Sequence, residues 1–277
     1  MQIGLRLHDS AEAPFEERLK MVKSQGFSCI HFALKKTTGL PYSIEALTPG
    51  YAFYLKRCLR EAELDAAVLG CYLNLGNPDP DELRGIQKMY TAHLRLASII
   101  GCGMVGTETG APNREYRCDE SCRTGKALDT FIKNLRPVVK DAERFGVTIA
   151  IEPVYKHIVC SPERARIVLD EIDSPNLRII FDPVNLLAPD QIDKRDETIK
   201  DAIDKLGEEI AMIHLKDYRV TDDKMTCMAC GLGDMDYSQV LRFAKEKKPY
   251  IQATLENTTP ANAVAALNHI RAVYDKV

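Results

Sequence analysis

The chain has 277 residues, 45% of them hydrophobic, and a formal net charge of −3, which is typical of a globular protein with a large core. The slightly acidic charge argues against a nucleic-acid partner, and no apolar run approaches the roughly 20 residues that cross a bilayer. The first residues, MQIGLRLH, lack the features of a signal peptide, and the nine cysteines are an odd number. These features predict a cytoplasmic protein with reduced thiols and without nucleic-acid or membrane partners.

Short apolar segments alternate with longer amphipathic segments along the whole chain. The candidate strands, in chain order, are Ile3–His8, Cys29–Leu34, Ala66–Leu73, Met104–Thr107, Val147–Ile151, Leu177–Phe181, Ile210–Leu215 and Tyr250–Leu255. Most of them are nearly continuous apolar runs, which is typical of parallel strands that are covered on both faces.

The segments between the strands carry signals for helix starts and ends. Ser161-Pro162 and Thr259-Pro260 each place an N-cap residue before a proline, which favours a helix start, and Gly26 is expected to end the first helix. The polar stretch Gly110–Thr124 is predicted as a loop. Eight strands, each followed by a helix, predict the α/β class and a single (β/α)8 TIM barrel, with residues 1–277 as one domain.

Ionisable residues stand at the carboxyl ends of the last four predicted strands. The strand segments TIAIE, RIIFD, AMIH and ATLE end in Glu152, Asp182, His214 and Glu256. Each residue alone would suggest a helix cap, a salt bridge or a core histidine. At the rim where barrel active sites form, however, these groups together would be costly without a cation. Three carboxylates and an imidazole suit one divalent metal ion, Mn²⁺ ahead of Mg²⁺, Co²⁺ or Zn²⁺.

Other polar residues near the predicted rim are candidates for substrate contact, with a structural hydrogen bond as the alternative for each. They are His8 at the end of the first strand, Asn74 after the third, Glu108 after the fourth and His157 in the loop after the fifth. Lys216 and Asp217 directly follow His214 and are expected to form an ion pair or to orient the ligand ring.

Two cysteine pairs follow the fourth and seventh strands. Cys118 with Cys122 and Cys227 with Cys230 could together form a four-thiolate zinc site. These strands lie well apart around a barrel, so we expect free surface thiols in polar loops instead. The stretch Gly231–Asp234 is interpreted as a loop into the seventh helix.

The motifs IAIEP, FDPVN, IHLKDYR, GLGDMDY and TLEN resemble those of the xylose-isomerase-like barrel superfamily of sugar isomerases and epimerases. The resemblance implies that the metal ligands are Glu152, Asp182, His214 and Glu256. It also implies that the two glutamates move protons and that Arg219 clamps the substrate.

The sequence also departs from well-known branches of that superfamily. Asn185 stands where the DNA-repair nuclease and ketose 3-epimerase branches carry a histidine, and we count it among the substrate-binding candidates. The epimerase Asn-Arg pair is replaced by Pro153-Val154. The chain is more similar to the broad set that includes inosose dehydratases.

The resemblance implies an enzyme that acts on a small polyhydroxy substrate. We expect a divalent-metal-dependent isomerase or epimerase of a sugar or sugar derivative, which works by proton transfer through a metal-held enediolate. The alternatives are an inosose dehydratase-like lyase acting on a cyclic polyol ketone, and a non-catalytic barrel that binds sugar or metal. The identity of the sugar, its phosphorylation and a homo-oligomeric state stay open.

Overall fold

Eight of the strands in the computed structural model, which describes residues 1–222 and 224–277, form a closed parallel barrel. In chain order the strands are β1 (Gln2–Arg6), β2 (Cys29–Phe32), β3 (Asp65–Gly70), β4 (Met104–Glu108), β5 (Thr148–Glu152), β6 (Leu177–Phe181), β7 (Ile210–Leu215), β8 (Asp217–Thr221), β9 (Lys224–Met228) and β10 (Gln252–Leu255). The barrel order is β1-β10-β7-β6-β5-β4-β3-β2, while β8 and β9 form a separate antiparallel pair.

A helix follows each barrel strand. The helices are α1 (Phe15–Ser24), α2 (Pro49–Glu61), α3 (Pro80–Ile100), α4 (Gly125–Phe145), α5 (Pro162–Ile172), α6 (Arg195–Leu206), α7 (Ser238–Lys247) and α8 (Ala263–Lys276). In the described part of the chain, none of these helices has the length and apolarity needed to cross a membrane. This arrangement confirms the predicted single (β/α)8 barrel.

Two hydrophobic clusters hold the fold together. The larger one packs the outward strand residues against the helices. The smaller one fills the barrel interior and consists of Cys29, Ala67, Val68, Met104, Ala150, Ile180 and Met212. A side chain at Gly106 would collide with Val68 and Ile180, so the tight packing of this layer requires glycine there.

Several predicted element boundaries near the rim were wrong, since β2 ends at Phe32 instead of Leu34 and β3 ends at Gly70 instead of Leu73. The first strand ends at Arg6, and His8 lies in a 3-10 turn over Leu7–Asp9 instead of ending the strand. The last helix starts at Ala263, three residues after Pro260, because the Asn262 side chain accepts a hydrogen bond from the Thr259 backbone N–H and closes a turn first. The predicted helix start at Ser161-Pro162 is confirmed, since the Ser161 side chain caps α5.

The segment after β7 is a hairpin, β8–β9, where the sequence predicted only a polar loop. Its base is fixed by Asp217, whose carboxylate accepts hydrogen bonds from the backbone N–H groups of Tyr218, Gly231 and Met235, each at 2.9 Å. A carboxylate that accepts three such hydrogen bonds holds both ends of the hairpin segment at the end of β7.

All nine cysteines are free thiols. The expectation of surface thiols was wrong for Cys122 and Cys230, which are buried, whereas Cys227 is exposed on β9. The burial follows from the local fold, because Cys122 lies in a 3-10 turn packed at the rim and Cys230 follows the hairpin into the core. No cysteine belongs to a cluster that could hold a metal ion, as far as the described residues go.

Candidate metal and catalytic centre

The carboxyl ends of β5, β6, β7 and β10 meet at one rim of the barrel. Glu152 is the last residue of β5, Asp182 and Glu256 directly follow β6 and β10, and His214 lies one residue before the end of β7. All four side chains are buried. The register of the parallel strands brings them together, since Thr254 of β10 pairs with His214.

Glu152 is held by a relay that begins at Lys216. The Lys216 ammonium donates to Asn185 Oδ1 at 2.8 Å, and Asn185 Nδ2 donates to Glu152 Oε1 at 2.6 Å. The opposite orientation of the amide would place its oxygen against the carboxylate and its N–H against the ammonium. Charge therefore fixes Asn185 in the orientation that gives Glu152 a hydrogen-bond donor.

The two oxygens of Asp182 have different partners. Oδ1 accepts hydrogen bonds from the backbone N–H groups of Val184 and Asn185, at 2.9 and 3.0 Å. Oδ2 lies 2.7 Å from Lys216 Nζ. Burial raises the pKa of Asp182 to about 6, against the opposing effect of the lysine. Oδ2 is therefore the oxygen that faces the centre.

Glu256 stands between cations and imidazoles. Its Oε2 lies 3.4 Å from Arg6 Nη1 and 3.5 Å from Lys216 Nζ, and its Oε1 lies 3.3 Å from His214 Nδ1. Burial alone would raise the pKa of Glu256, but the positive charges of His214, Lys216 and Arg6 outweigh it and hold the pKa well below its usual range. Glu256 is thus an ionised carboxylate.

His214 is fully buried, and neither of its ring nitrogens is aligned for a hydrogen bond with any described residue. Its Nδ1 lies 3.3 Å from Glu152 Oε2. Burial disfavours the imidazolium, but the carboxylates of Glu256 and Glu152 outweigh this effect and raise the pKa of His214 to about 9. An imidazole without hydrogen bonds among carboxylates is the chemistry of a ligand to a cation.

Two groups of side chains are close enough to hold a metal ion. Donor atoms of Glu152, Asp182 and His214 lie within 4.8 Å of one another, and the same holds for His31, His214 and Glu256. Residues with these donors fit a divalent ion, because they combine carboxylate oxygens with imidazole nitrogens. The four predicted ligands therefore converge, with Glu256 belonging to the second group.

Three further residues at the centre were missed by the sequence analysis, namely Arg6, His31 and Tyr72. His31 Nε2 lies 2.8 Å from the Tyr72 hydroxyl, and a side chain at Gly70 would collide with both residues. The sequence carries a weak signal for two of them: Arg6 stands between Leu5 and Leu7 at the end of β1, and His31 stands between Ile30 and Phe32 on β2. A buried polar side chain among apolar neighbours needs a partner.

Asn74 and His8, two of the substrate-contact candidates, have different surroundings. The Asn74 amide is occupied by the loop after β4, because it donates to the Asn113 carbonyl and accepts from the N–H groups of Gly76 and Ala111. His8 packs edge-on to His31 with ring centroids 6.0 Å apart. Burial and the neighbouring Arg6 lower the pKa of His8 to about 3, so its ring is neutral.

Glu108 and His157 meet on the other side of the rim. Glu108 Oε2 accepts from the Tyr116 hydroxyl at 3.2 Å and lies 3.8 Å from His157 Nδ1. Burial raises the pKa of Glu108 and lowers that of His157 to about 4. The structure thus joins these two candidates into one cluster with Tyr116.

Arg219 lies on β8 of the hairpin, where its side chain is exposed. Its guanidinium donates to the Leu232 carbonyl at 2.9 Å. The hairpin therefore carries Arg219 beyond the end of β7, five residues after the buried His214.

The family model described as a xylose isomerase-like TIM barrel matches residues 19–273. The chain belongs to this family. None of the curated proteins compared with the chain matches it.

Three solved structures share the fold over nearly their whole length. A D-tagatose 3-epimerase-like protein has a TM-score of 0.79 at 19% identity, with 100% of this chain and 98% of that chain covered. The IolI protein with a bound zinc atom has a TM-score of 0.75 at 16% identity, with 100% of this chain and 99% of that chain covered. The probable 3-DHS dehydratase AsbF from Bacillus anthracis has a TM-score of 0.74 at 13% identity, with 98% of both chains covered. At sequence identities this low, the similarity shows the shared fold alone.

Proposed function

We propose that this protein is a divalent-metal-dependent isomerase or epimerase of a small sugar or sugar derivative, which acts by proton transfer. The observation that carries the proposal is the convergence of Glu152, Asp182, His214 and Glu256 at the rim, with His214 buried and without hydrogen bonds. The proposed ligands are these four residues. The known relatives of this fold are consistent with it, since one is epimerase-like and another binds zinc.

A divalent ion bound here would polarise the carbonyl of an α-hydroxy-carbonyl sugar and acidify the neighbouring C–H. The residues of the chain then have to remove a proton from that carbon and return it. Glu152 and Glu256 are the proposed acid–base residues, because each is a buried carboxylate with one oxygen directed at the centre.

Glu152 is poised to accept the proton. Its Oε1 receives the Asn185 N–H, whose direction is fixed by Lys216. Because Oε1 is occupied by this hydrogen bond, Oε2, which lies 3.3 Å from His214 Nδ1, is the oxygen we propose to take the proton.

Glu256 faces the same centre from β10, three strands away from β5 around the barrel. Arg6 and Lys216 hold its Oε2, which leaves Oε1 on the side of the imidazoles. A proton returned from this side to the same carbon gives epimerisation, and a proton returned to the neighbouring carbon gives aldose–ketose isomerisation. The proposed substrate contacts are Arg219, His8, Asn74, Glu108, His157 and Asn185.

A dehydratase acting on a cyclic polyol ketone is the second candidate. It shares the first proton abstraction but needs an acid for the leaving hydroxyl group. The raised pKa of Glu108, caused by burial, favours the protonated carboxyl that such a step requires. Tyr116 and His157 would hold that acid in place.

Solvent deuterium uptake tests the proposal. The protein is loaded with Mn²⁺ and offered a panel of ketoses, aldoses and inososes in D₂O, and products are analysed by NMR and mass spectrometry. We expect one sugar to gain deuterium at the carbon next to its carbonyl, with loss of the signal in the presence of chelator. A non-catalytic barrel would bind a sugar without exchange, and a dehydratase would release water and form an unsaturated or rearranged product.

A further inference from the structure

We propose that His31 is a ligand of the same divalent ion, so that the centre presents two imidazoles instead of one. The inference rests on the proposed function, because it takes the metal centre as given. It adds a residue on β2 to the four predicted ligands at the ends of β5, β6, β7 and β10.

The surroundings of His31 are those of a ligand. The residue is 1% exposed, and its ring stacks on His214 with centroids 5.1 Å apart and planes inclined by 13°. Its Nδ1 lies 3.7 Å from Glu256 Oε1 and has no hydrogen-bond partner among residues 1–222 and 224–277. A buried polar nitrogen without a partner is costly, and a cation between it and the carboxylate removes that cost.

The far side of the ring is already anchored. His31 Nε2 lies 2.8 Å from the Tyr72 hydroxyl, and ligand histidines commonly use their second nitrogen to fix the ring in this way. When Nε2–H donates to the Tyr72 oxygen, the Nδ1 lone pair points at the Glu256 carboxylate. That arrangement is repulsive unless a cation lies between them.

Glu256 offers the matching oxygen. Its Oε2 faces Arg6 and Lys216, at 3.4 and 3.5 Å, so Oε1 is turned toward both imidazoles, 3.3 Å from His214 Nδ1 and 3.7 Å from His31 Nδ1. The two cations thereby direct one oxygen of Glu256 into the space between the histidines.

The geometry points to one ion. His214 Nδ1 lies 3.3 Å from both Glu152 Oε2 and Glu256 Oε1, and an imidazole nitrogen has a single lone pair to donate. The two groups of donors therefore share His214 Nδ1 and belong to one metal site. Five residues contribute to it, namely His31, Glu152, Asp182, His214 and Glu256. A second imidazole raises the relative affinity for Co²⁺ and Zn²⁺ over Mg²⁺, since imidazole ligands suit the former.

Pulsed EPR of the protein loaded with one equivalent of Cu²⁺ counts the coordinated imidazoles directly. We expect two for the unaltered protein and one for His31→Gln. The matched control is His269→Gln, because His269 is an exposed histidine on α8, and this variant should keep two. In parallel, titrations should show that His31→Gln weakens Co²⁺ binding about tenfold or more while Mg²⁺ binding changes less.

Each result has one interpretation. A single imidazole in the unaltered protein would overturn the assignment of His31 and leave the metal centre standing. Two imidazoles that persist in His31→Gln would also overturn it, since another residue would then supply the second. Absence of any bound ion in the unaltered protein would refute the proposed function itself. When His31→Gln does not fold, a single imidazole in the unaltered protein still overturns the assignment, and a count of two is followed by the same measurement on His31→Asn, which should show one.

Discussion

The two glutamates of the centre differ in the side chains that contact them. Glu152 is hydrogen-bonded by an amide, whereas Glu256 faces the cations Arg6 and Lys216. An amide donor stabilises a carboxylate less than a full positive charge does. The cations that hold the pKa of Glu256 below its usual range make Glu256 a poor proton acceptor, so we expect Glu152 to take the first proton.

Replacing either glutamate by glutamine tests this assignment. Glutamine keeps the size and one oxygen but removes the base, so deuterium exchange should fall by about 100-fold or more in each variant. Glu152→Gln should abolish exchange, while Glu256→Gln should retain some exchange and block net product. NMR in D₂O and metal analysis of both variants provide the measurement.

A surface glutamate supplies the control. Glu163 on α5 pairs with Lys205 and lies outside the proposed centre, so Glu163→Gln should exchange normally. Product that forms at the normal rate without deuterium in the unaltered protein would contradict proton transfer and would indicate hydrogen movement between carbons.

Sequence reasoning could locate some of these residues and not others. Asp182 and Glu256 directly follow buried apolar runs, which places them at the rim from pattern alone. Arg6 is the last residue of β1 and His31 lies within β2. Whether such a residue faces the barrel interior or the helices depends on a register that short strands do not reveal. The contact between Lys216 and Asn185 joins two βα units, so it exists only in the folded chain.

Among the elements, the hairpin β8–β9 separates two cysteines that share one motif. Cys227 lies exposed on β9, while Cys230 lies in the core after the hairpin. We expect Cys227→Ser to leave stability unchanged and Cys230→Ser to cost roughly 1–3 kcal/mol, because the hydroxyl would be buried. Urea unfolding of the two variants measures this difference, and equal stabilities would show that the burial of Cys230 carries no energetic weight.

Helix α3 contains a histidine that links folding to pH. His93 is fully buried and its Nδ1 donates to the Met89 carbonyl at 2.9 Å, one turn earlier. Burial lowers the pKa of His93 from 6.5 to about 4. Between these values the unfolded chain binds a proton that the folded chain does not, so stability falls as the pH falls through this window.

His93→Gln should remove that dependence. Unfolding free energies measured at pH 7 and pH 4 should differ less in this variant than in the unaltered protein, by roughly 2–3 kcal/mol. His269→Gln is the control, because His269 is exposed. Identical pH profiles for His93→Gln and the unaltered protein would mean that folding does not lower the pKa of His93.

Element types followed from the sequence more readily than element ends. Strands β6 and β7 have the predicted bounds, since each is a short and mostly apolar run with two isoleucines. The hairpin was missed because DYRVT and KMTCM are short and half-exposed, and their alternation is too brief to stand out among polar residues.

For the whole molecule, the barrel was predictable because it depends on a repeated order of strand and helix instead of any single boundary. Closing the barrel brings residues from five strands to one buried centre. The folded chain therefore gathers donors that lie far apart in the unfolded chain, and a metal ion should bind the folded state only.

Metal binding should accordingly stabilise the fold. With free Mn²⁺ at about 100 times its dissociation constant, the free energy of unfolding should rise by about 2.7 kcal/mol, and chelator should reverse the rise. Calorimetric scans with and without Mn²⁺ measure it, alongside a stoichiometry near one. In Asp182→Asn the added ion should have a smaller effect, and an unaltered protein whose unfolding ignores Mn²⁺ would contradict the metal centre.

The Asp217 clamp makes the hairpin a self-contained insertion. Because three backbone N–H groups bind one carboxylate at its base, the length of chain beyond that base is decoupled from the position of β7. The entropic cost of closing a loop grows only slowly with the length of the loop. The far end of the hairpin is therefore a natural place to graft a fluorescent label or a peptide tag without moving His214.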